Sequence, residues 1–454
     1  MFATIVENST HIPSNPDTGL YHAQTIRWFE TYRIVPGLGN LESRYAFNSS
    51  WLVLNASLSF VFLGLQSFRL VNGVTFLIAS LFFADGLSLL MKRDVSLSAL
   101  LKVMFLPLGF YLLSSEISSV SNDMAVAFFT WVVILLWVEK YEKPAKSVMN
   151  NVLIVLISAF MVTVKLSSVP LLLFSIFVVM EYAGTGERKK IFVLGTMGIL
   201  LLLPWIARSV FLSGYLIFPQ LQVDLFSPDW KMSRESVDIA IQGVVGIARL
   251  GNSWDPSVSL TFSEWVPRWF HRLTLNRQAM VIGAALSPIL LLTMKFIKKP
   301  AISREYLLAF FVMFLGAIFW FFAAPGIRFG YGPLIALCAL TVAPFLLQLI
   351  AKHEKVLGFF STTLLVLLVV FQLYTLWFSF DASTFRQRWL LPLDYPPSVA
   401  SECDLDGITI HCRPDGILWT QCFYDVFPCA TLHRLDTKMR GAAFQDGFRS
   451  GISP

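Results

Sequence analysis

The chain has 454 residues, of which 56% are hydrophobic and 14% are charged, and its formal net charge is +6. Soluble globular domains have about 25% charged residues, so this composition excludes an ordinary water-exposed surface and favours one in contact with lipid. Most lysines lie in short clusters between apolar runs, where they orient membrane spans. The net charge therefore does not indicate a nucleic-acid partner.

The first 69 residues form an N-terminal segment whose ionisable side chains are concentrated between positions 15 and 48. Asp17 occupies a position typical of a helix N-cap, which predicts a helix over Tyr21–Tyr32 and places His22 about one turn from Asp17. A carboxylate in that place can act as a general base or bind a divalent cation. The alternative is that Asp17 only caps its helix and His22 packs.

The stretch 51–65 is apolar enough to be a membrane span, but nearby asparagines and serines make it more polar than the later runs. We predict an interfacial helix against the external leaflet. The alternative is an ordinary span that starts from a cytoplasmic N-terminus. If the first 47 residues are external, we expect a helix upstream of this chain to carry them across, because the opening residues are too short and polar for a signal peptide.

Ten later apolar runs are long enough to cross roughly 30 Å of hydrocarbon as helices. They lie at about 70–91, 97–113, 124–139, 148–164, 166–183, 191–212, 277–297, 305–323, 331–351 and 356–379. The sequence therefore predicts an all-α polytopic membrane protein with about ten transmembrane helices, whose membrane domain covers 70–379.

Basic clusters fall in alternate loops between these runs, which places those loops in the cytoplasm. The clusters are Lys92 and Arg93; Lys140, Lys143 and Lys146; Arg188 to Lys190; Lys295, Lys298 and Lys299; and Lys352 and Lys355. The N-terminal segment 1–69, the loop 213–276 and the tail 380–454 are then external. The loop is rich in acidic and aromatic residues and is predicted to form a folded external substructure.

Four charged residues at the external ends of spans are functional candidates, because ions near a membrane are costly. Asp123 either has a functional role or only caps its helix. Arg208 and Arg328 lie on the same side; facing one cavity, they would hold a phosphate or diphosphate through forked hydrogen bonds. The alternative is that each arginine anchors its own helix end at the lipid head groups. Lys165 interrupts two apolar runs, and snorkelling to the interface explains it.

The tail contains four of the five cysteines, Cys403, Cys412, Cys422 and Cys429. A small external segment with little core is typically stabilised by disulfides, which predicts two bonds here and leaves three pairings open. A zinc site is the alternative, although the spacings of nine, ten and seven residues lack the usual CxxC pairs.

The order of these features resembles the GT-C superfamily of polyprenol-dependent membrane glycosyltransferases. Asp17–His22 resembles the acidic motif in the first external loop of those enzymes, although many relatives have an adjacent acidic pair where this chain has Asp17 alone. Ser121–Asp123 resembles the S-x-D that begins a later span, and Pro204–Arg208 resembles a P-W-x-x-R element. The strings DTGLYHAQTIRW and RGAAFQDGFR also resemble a bacterial group of large multi-pass membrane proteins.

The resemblance implies an enzyme that transfers a hexosyl or pentosyl unit from a polyprenyl-phosphate donor to an envelope glycan or lipid acceptor, on the external face of a bacterial inner membrane. Asp17 and His22 would be catalytic, with Asp17 as general base or as ligand of a divalent cation, Mg²⁺ or Mn²⁺. The implied substrate-binding residues are Arg44, Asp123, Arg208 and Arg328. The alternatives are a polysaccharide polymerase or ligase, which would not need Asp17, and a transporter or flippase of lipid-linked glycans.

Overall fold

The computed structural model describes residues 1–60, 62, 70–251, 260–298, 302–351, 354–379, 398–413, 421–431 and 436–451. Parts of several sequence predictions lie outside these residues. They are the end of the predicted helix 51–65, residues 252–259 of the loop 213–276, Lys299 and Lys352 of the basic clusters, and residues 380–397, 414–420, 432–435 and 452–454 of the tail.

The described chain is mainly helical, because a backbone in lipid has to satisfy its own hydrogen bonds. The helices are α1 (Phe2–Ser9), α2 (Ala23–Thr31), α3 (Leu38–Leu41), α4 (Ser50–Ser57), α5 (Val71–Met91), α6 (Leu97–Leu113), α7 (Asp123–Glu142), α8 (Ser147–Val164), α9 (Leu172–Gly184), α10 (Arg188–Ser213), α11 (Arg234–Leu250), α12 (Phe262–Arg272), α13 (Leu275–Lys298), α14 (Arg304–Ala323), α15 (Tyr331–Ala351) and α16 (Glu354–Ser379).

Within the described residues, nine helical segments are long and apolar enough to cross a membrane by length and composition. They are Val71–Met91, Leu97–Glu116, Asp123–Glu142, Pro144–Val164, Leu166–Gly184, Arg188–Ser213, Leu275–Thr293, Arg304–Ala323 and Ile327–Ile350. The tenth predicted span falls in α16, where the apolar helix Thr362–Phe378 is shorter. The prediction of an all-α, multi-pass integral membrane protein is confirmed.

Helix α7 lies at the centre of the bundle, with 83% of its most apolar stretch buried inside the protein. Trp131 in this helix stacks on Phe105, with ring centroids 5.0 Å apart. The Trp131 indole N–H also donates to the carbonyl of Gly332 at 3.1 Å. Contacts on all sides fix the rotation and depth of α7, so that Asp123 at its start has a defined set of neighbours.

The charged residues at the helix ends form two groups at opposite ends of the bundle. At one end Lys143, from a predicted cytoplasmic cluster, pairs with Asp94 at 3.1 Å. At the other end the N-terminal segment packs on the bundle, and the Asn15 amide donates to Glu116 at 2.9 Å. We refer to the end that holds the N-terminal segment as the cap end. The side of the membrane that each end faces stays a prediction.

Asp17 precedes the π-helical turn Thr18–His22, but its side chain makes no capping hydrogen bond, so the predicted capping role of the Asp17 side chain is wrong. The side-chain oxygen of Asn15 accepts the Asp17 N–H at 3.0 Å, while Asp17 itself has helical dihedral angles of φ −62° and ψ −24°. A π-helical turn, Thr18–His22, then leads into α2, so the predicted single helix over Tyr21–Tyr32 is divided. Because Asn15 caps the backbone, the Asp17 carboxylate pairs elsewhere.

The segment after position 48 forms α4, which has eight residues and is about 12 Å long at 1.5 Å per residue. That length is too short for a membrane span and suits the predicted interfacial helix. Its Trp51 is buried and donates to the Asn72 side chain in α5 at 2.9 Å. This contact ties α4 to the cap end of the bundle.

The tail folds on the cap end as two small sheets. Strands β1 (Ser401–Leu405), β2 (Ile408–Cys412) and β3 (Cys429–Ala430) form one sheet in that order, with β1 antiparallel and β3 parallel to β2. Strands β4 (Thr437–Met439) and β5 (Phe448–Ser450) form an antiparallel pair. The disulfides are Cys403–Cys412 and Cys422–Cys429, which confirms the two predicted bonds and resolves their pairing.

Candidate functional site

Arg328 connects the N-terminal segment to the transmembrane bundle. It lies in a 3₁₀ turn, Ile327–Gly330, immediately before α15. Its Nη2 pairs with Asp17 Oδ2, its Nε lies 3.0 Å from Asp123 Oδ2, and its Nη1 lies 3.4 Å from Asn15 Oδ1. Three residues that are far from Arg328 in sequence thus share one guanidinium, whose planar fork suits such multiple contacts.

Asp123 is a buried link in this network, with 4% of its side chain exposed. Its second oxygen, Oδ1, pairs with the Lys165 ammonium. The N-cap of α7 is Asn122, so the capping alternative for Asp123 does not hold. Lys165 also lies over the Phe329 ring, 3.5 Å from its centroid. The ion pair, rather than snorkelling to the interface alone, explains why a lysine interrupts the apolar runs.

A cavity of about 730 Å³ opens beside this network at the cap end. Asp17 and Arg328 line it together with Glu116 from the end of α6. Arg328 occupies only one oxygen of Asp17, and no hydrogen bond within the described chain involves Asp17 Oδ1. The cavity therefore presents a carboxylate oxygen that can accept a proton.

Three further arginines line the same cavity, and none of them was among the candidates predicted from the sequence. They are Arg249, Arg272 and Arg277, from the end of α11, the end of α12 and the start of α13. Apolar side chains, among them Leu20, Leu112 and Trp269, complete the walls. A basic cavity with apolar walls at a helix-bundle end is suited to an amphipathic, anionic ligand. The sequence feature that could have indicated these arginines is the presence of basic residues in the last turns of α11 and α12.

A family model described as a domain of unknown function (DUF8201) matches residues 1–335. The chain belongs to this family. The matched region contains every residue that lines the cavity except Gln421 of the tail. No curated protein and no solved structure matches the chain at a significant level. The region matched to DUF8201 therefore contains the cavity, and the family description names no activity.

His22 of this DUF8201 protein does not line the cavity. The residue is 4% exposed, and its ring packs on that of Tyr21 with centroids 4.3 Å apart. Among the described residues, its Nδ1 has no hydrogen-bond partner. Burial lowers the pKa of His22 from 6.5 to about 4, so the imidazole is neutral near pH 7. This geometry agrees with the alternative that His22 packs.

Arg208 and Arg328 line different cavities, so the first of the two alternatives, a shared anion site, does not hold. The Arg208 guanidinium binds the side chain of Asn48 and lies 3.3 Å from the Asn48 carbonyl oxygen. It lines a separate, narrow pocket beside Phe29. The reason is that Asn48, which precedes α4, packs against α10 and binds both Trp205 and Arg208 there. Arg208 fixes α4 on the bundle.

Arg44 also lies away from the cavity and joins the N-terminal segment to the tail. Its Nε donates to Glu42 Oε1 at 2.8 Å, and its Nη2 donates to the hydroxyl of Thr431. The guanidinium lies over the Tyr21 ring, 5.3 Å from its centroid. The Arg44 guanidinium therefore contacts Glu42, Tyr21 and Thr431 of the protein itself and does not line the cavity.

The described residues do not fit a resident divalent cation at Asp17. No group of three or more histidine, cysteine, aspartate or glutamate side chains that could hold a metal ion occurs in the described part of the chain. Arg328 and Lys165 already neutralise Asp17 and Asp123. The predicted Mg²⁺ or Mn²⁺ stays a prediction, and no chemical step is derived through it.

Proposed function

We propose that this protein is a membrane glycosyltransferase that moves a sugar from a polyprenyl-phosphate donor to an envelope glycan or lipid acceptor. The observation that supports this function is the cavity at the cap end, where two carboxylates, Asp17 and Glu116, share a basic, partly apolar space with four arginines. We further propose that the chain has the fold and the reaction type of the GT-C superfamily.

The proposed reaction needs a base and a stabilised leaving group. The acceptor hydroxyl oxygen bonds to the anomeric carbon, and its proton passes to the Asp17 carboxylate. The bond between the anomeric carbon and the phosphate oxygen breaks, and both electrons stay with that oxygen. Arg328 is positioned to stabilise the charge that develops there. Apolar walls beside the membrane suit a lipid-linked donor.

We propose that the cap end faces the outside of a bacterial inner membrane. The basic loops lie at the opposite end, and basic loops face the cytoplasm in most membrane proteins. The two disulfides at the cap end also agree with an oxidising external compartment. Lipid-linked sugars that have crossed the membrane are the donors available on that side.

The test measures transfer of labelled sugar from a panel of polyprenyl-linked donors in membranes that contain the protein. Asp17→Asn preserves the size of the side chain and removes its negative charge. We expect a loss of roughly 100-fold or more in the rate, which is the usual effect of losing a general base. The matched control is Asp94→Asn, which removes a half-exposed carboxylate paired with Lys143 at the opposite end.

Both variants are compared at equal abundance in the membrane. A lower rate in Asp17→Asn with a normal rate in Asp94→Asn supports the proposal. An unchanged rate in Asp17→Asn rejects Asp17 as the base and points to the polymerase or ligase alternative. Absence of transfer from every donor by the wild type rejects glycosyl transfer itself.

A further inference from the structure

The cavity has a second group of cations besides Arg328. Arg249 lies in the last turn of α11, Arg272 is the last residue of α12 and Arg277 lies in the first turn of α13. All three line the same cavity. We refer to these three residues as the arginine triad. Its members come from consecutive helices, whose neighbouring ends converge on one wall.

The arginine triad has no carboxylate partner within the residues that the structure describes, whereas Arg328 has two, Asp17 and Asp123. The two carboxylates that line the cavity already have partners, since Asp17 pairs with Arg328 and Glu116 accepts the Asn15 amide at 2.9 Å. A guanidinium does not lose its charge in a protein. The triad therefore gives this wall three positive charges that no described carboxylate offsets.

Packing holds the triad in place. The Arg249 guanidinium lies over the Trp265 ring, 4.4 Å from its centroid, and its Nε is buried without a hydrogen-bond partner in the described chain. Arg272 packs so closely on Gly251 that a Cβ atom there would lie 2.0 Å from its Nη2. Arg277 lies near Tyr331, which lines the cavity too. Arg249 is half-buried, whereas Arg272 and Arg277 are exposed. The packing contacts restrain the guanidiniums, and such restraint favours anion binding.

We propose that the arginine triad binds a diphosphate, and that the sugar donor is linked to its lipid through a diphosphate rather than a single phosphate. This inference rests on the proposed function and specifies its donor class. A donor with one phosphate has one negative charge, whereas a donor with a diphosphate has two. The second phosphate supplies additional charge and oxygens for the three guanidiniums, whose charge no described carboxylate offsets.

The leaving step agrees with this charge count. The bond between the anomeric carbon and the terminal phosphate oxygen breaks, and its electron pair stays on that oxygen. Polyprenyl diphosphate then leaves with one more negative charge than the intact donor had. The acceptor oxygen forms the new bond to the carbon, and Asp17 receives the acceptor proton. The triad thus binds the leaving group more tightly than the intact donor, which favours cleavage.

The test is a binding experiment with the full chain purified in detergent. Affinities are measured for farnesyl diphosphate, farnesyl monophosphate and inorganic diphosphate. We expect farnesyl diphosphate to bind at least tenfold more tightly than either of the others. Replacing each triad residue by glutamine should weaken farnesyl diphosphate binding at least tenfold. The matched control is Arg268→Gln, which removes an exposed arginine of α12 that does not line the cavity.

Three results would overturn the inference. Equal affinity for the two farnesyl compounds would mean that the site does not recognise a diphosphate. Inorganic diphosphate binding as tightly as farnesyl diphosphate would identify a free anion as the ligand. Equal competition by phosphatidylglycerol would show that the arginines only bind membrane head groups.

The proposed function can fail independently of this inference. Asp17→Asn should lose transfer while it still binds farnesyl diphosphate. Transfer from monophosphate donors alone would overturn the diphosphate inference and leave the transferase proposal in place. Tight diphosphate binding without transfer of any sugar would overturn the transferase proposal and leave the binding site in place.

Discussion

Arg328 lies 3.0 Å from Asp123, measured from Nε to Oδ2, and the same guanidinium pairs with Asp17. Lys165 pairs with the other oxygen of Asp123. The buried carboxylate of Asp123 therefore pairs with two cations, Lys165 and Arg328. Arg328 in turn pairs with Asp17, which lines the cavity. The position of the proposed base depends on Asp123, a residue that does not itself line the cavity.

Asp123→Asn should destabilise the protein. The substitution removes a buried negative charge between two cations, and breaking a buried ion pair typically costs about 3–5 kcal/mol because the remaining charge is uncompensated. We expect the thermal unfolding midpoint in detergent to fall by several degrees. Arg328 also loses one of its two carboxylate partners. Transfer activity should therefore be lower than that of the wild type even at temperatures below the unfolding midpoint.

The control for this prediction is Asp94→Asn at the opposite end. Its carboxylate pairs with Lys143 but is 44% exposed, and exposed ion pairs contribute little to stability. Its midpoint should stay close to that of the wild type. An Asp123→Asn midpoint that matches this control would show that the buried network is not needed for folding.

Gly251→Ala should weaken diphosphate binding without changing any charge. Gly251 has a φ of +73°, and its added Cβ atom would lie 2.0 Å from Arg272 Nη2. The substitution therefore strains the backbone, at a cost on the order of 1 kcal/mol, and displaces the guanidinium. We expect roughly a tenfold loss of affinity for farnesyl diphosphate, because a charge-assisted hydrogen bond contributes about 1.5–3 kcal/mol.

Gly243→Ala is the matched control. It adds the same methyl group inside α11, the helix that Gly251 follows, at a position where nothing lies within 4 Å. Alanine is favoured over glycine inside a helix by up to about 1 kcal/mol, so this variant should be at least as stable as the wild type. Equal affinity of the two variants would show that the position of Arg272 is not important for binding.

Apolar runs were sufficient to predict the membrane helices. The clustering of four cysteines in a short tail predicted two disulfides but not their pairing. Local sequence determines the membrane spans, because the backbone N–H and C=O groups of each span must form hydrogen bonds within the same helix. The close approach of Asp123 and Arg328 depends instead on how distant helices pack. The sequence identified both as candidates at one end of the bundle but gave no sign that they pair.

The local prediction at Asp17 failed because Asn15 is an equally good capping residue, and sequence preference does not choose between them. The arginine triad was missed because basic residues at the ends of short loop helices ordinarily interact with the helix dipole. Only the convergence of three such ends shows that the residues share a cavity. Arg208 and Arg328, in contrast, look equivalent in sequence and have different neighbours in the structure.

Gln24→Leu should loosen the tail from the N-terminal segment. The buried Gln24 amide donates to the carbonyls of Phe423 at 2.8 Å and Val426 at 2.6 Å, and it accepts the Cys429 N–H at 3.1 Å. Leucine leaves these backbone groups unpaired, at roughly 1–3 kcal/mol for each buried group. We expect faster hydrogen exchange in residues 421–431. Gln242→Leu, at an exposed position on α11, should exchange like the wild type.

His22→Gln should flatten the pH dependence of stability between pH 6.5 and pH 4. The pKa of His22 is about 4 in the folded protein, because burial lowers it from 6.5. The unfolded chain therefore binds more protons within that window, so stability falls as the pH falls. The penalty is absent above pH 6.5 and reaches about 3 kcal/mol below pH 4, at roughly 1.4 kcal/mol for each pH unit.

The measurement is the thermal unfolding midpoint in detergent at pH 7.5, 5.5 and 4.5, taken as the difference between wild type and variant. The subtraction removes the contribution of carboxylates that titrate in both proteins. His271→Gln, at an exposed position on α12, serves as the control and should keep the wild-type slope. Parallel curves for the wild type and His22→Gln would contradict the neutral, buried state of His22, because only a group that resists protonation in the folded protein produces the difference.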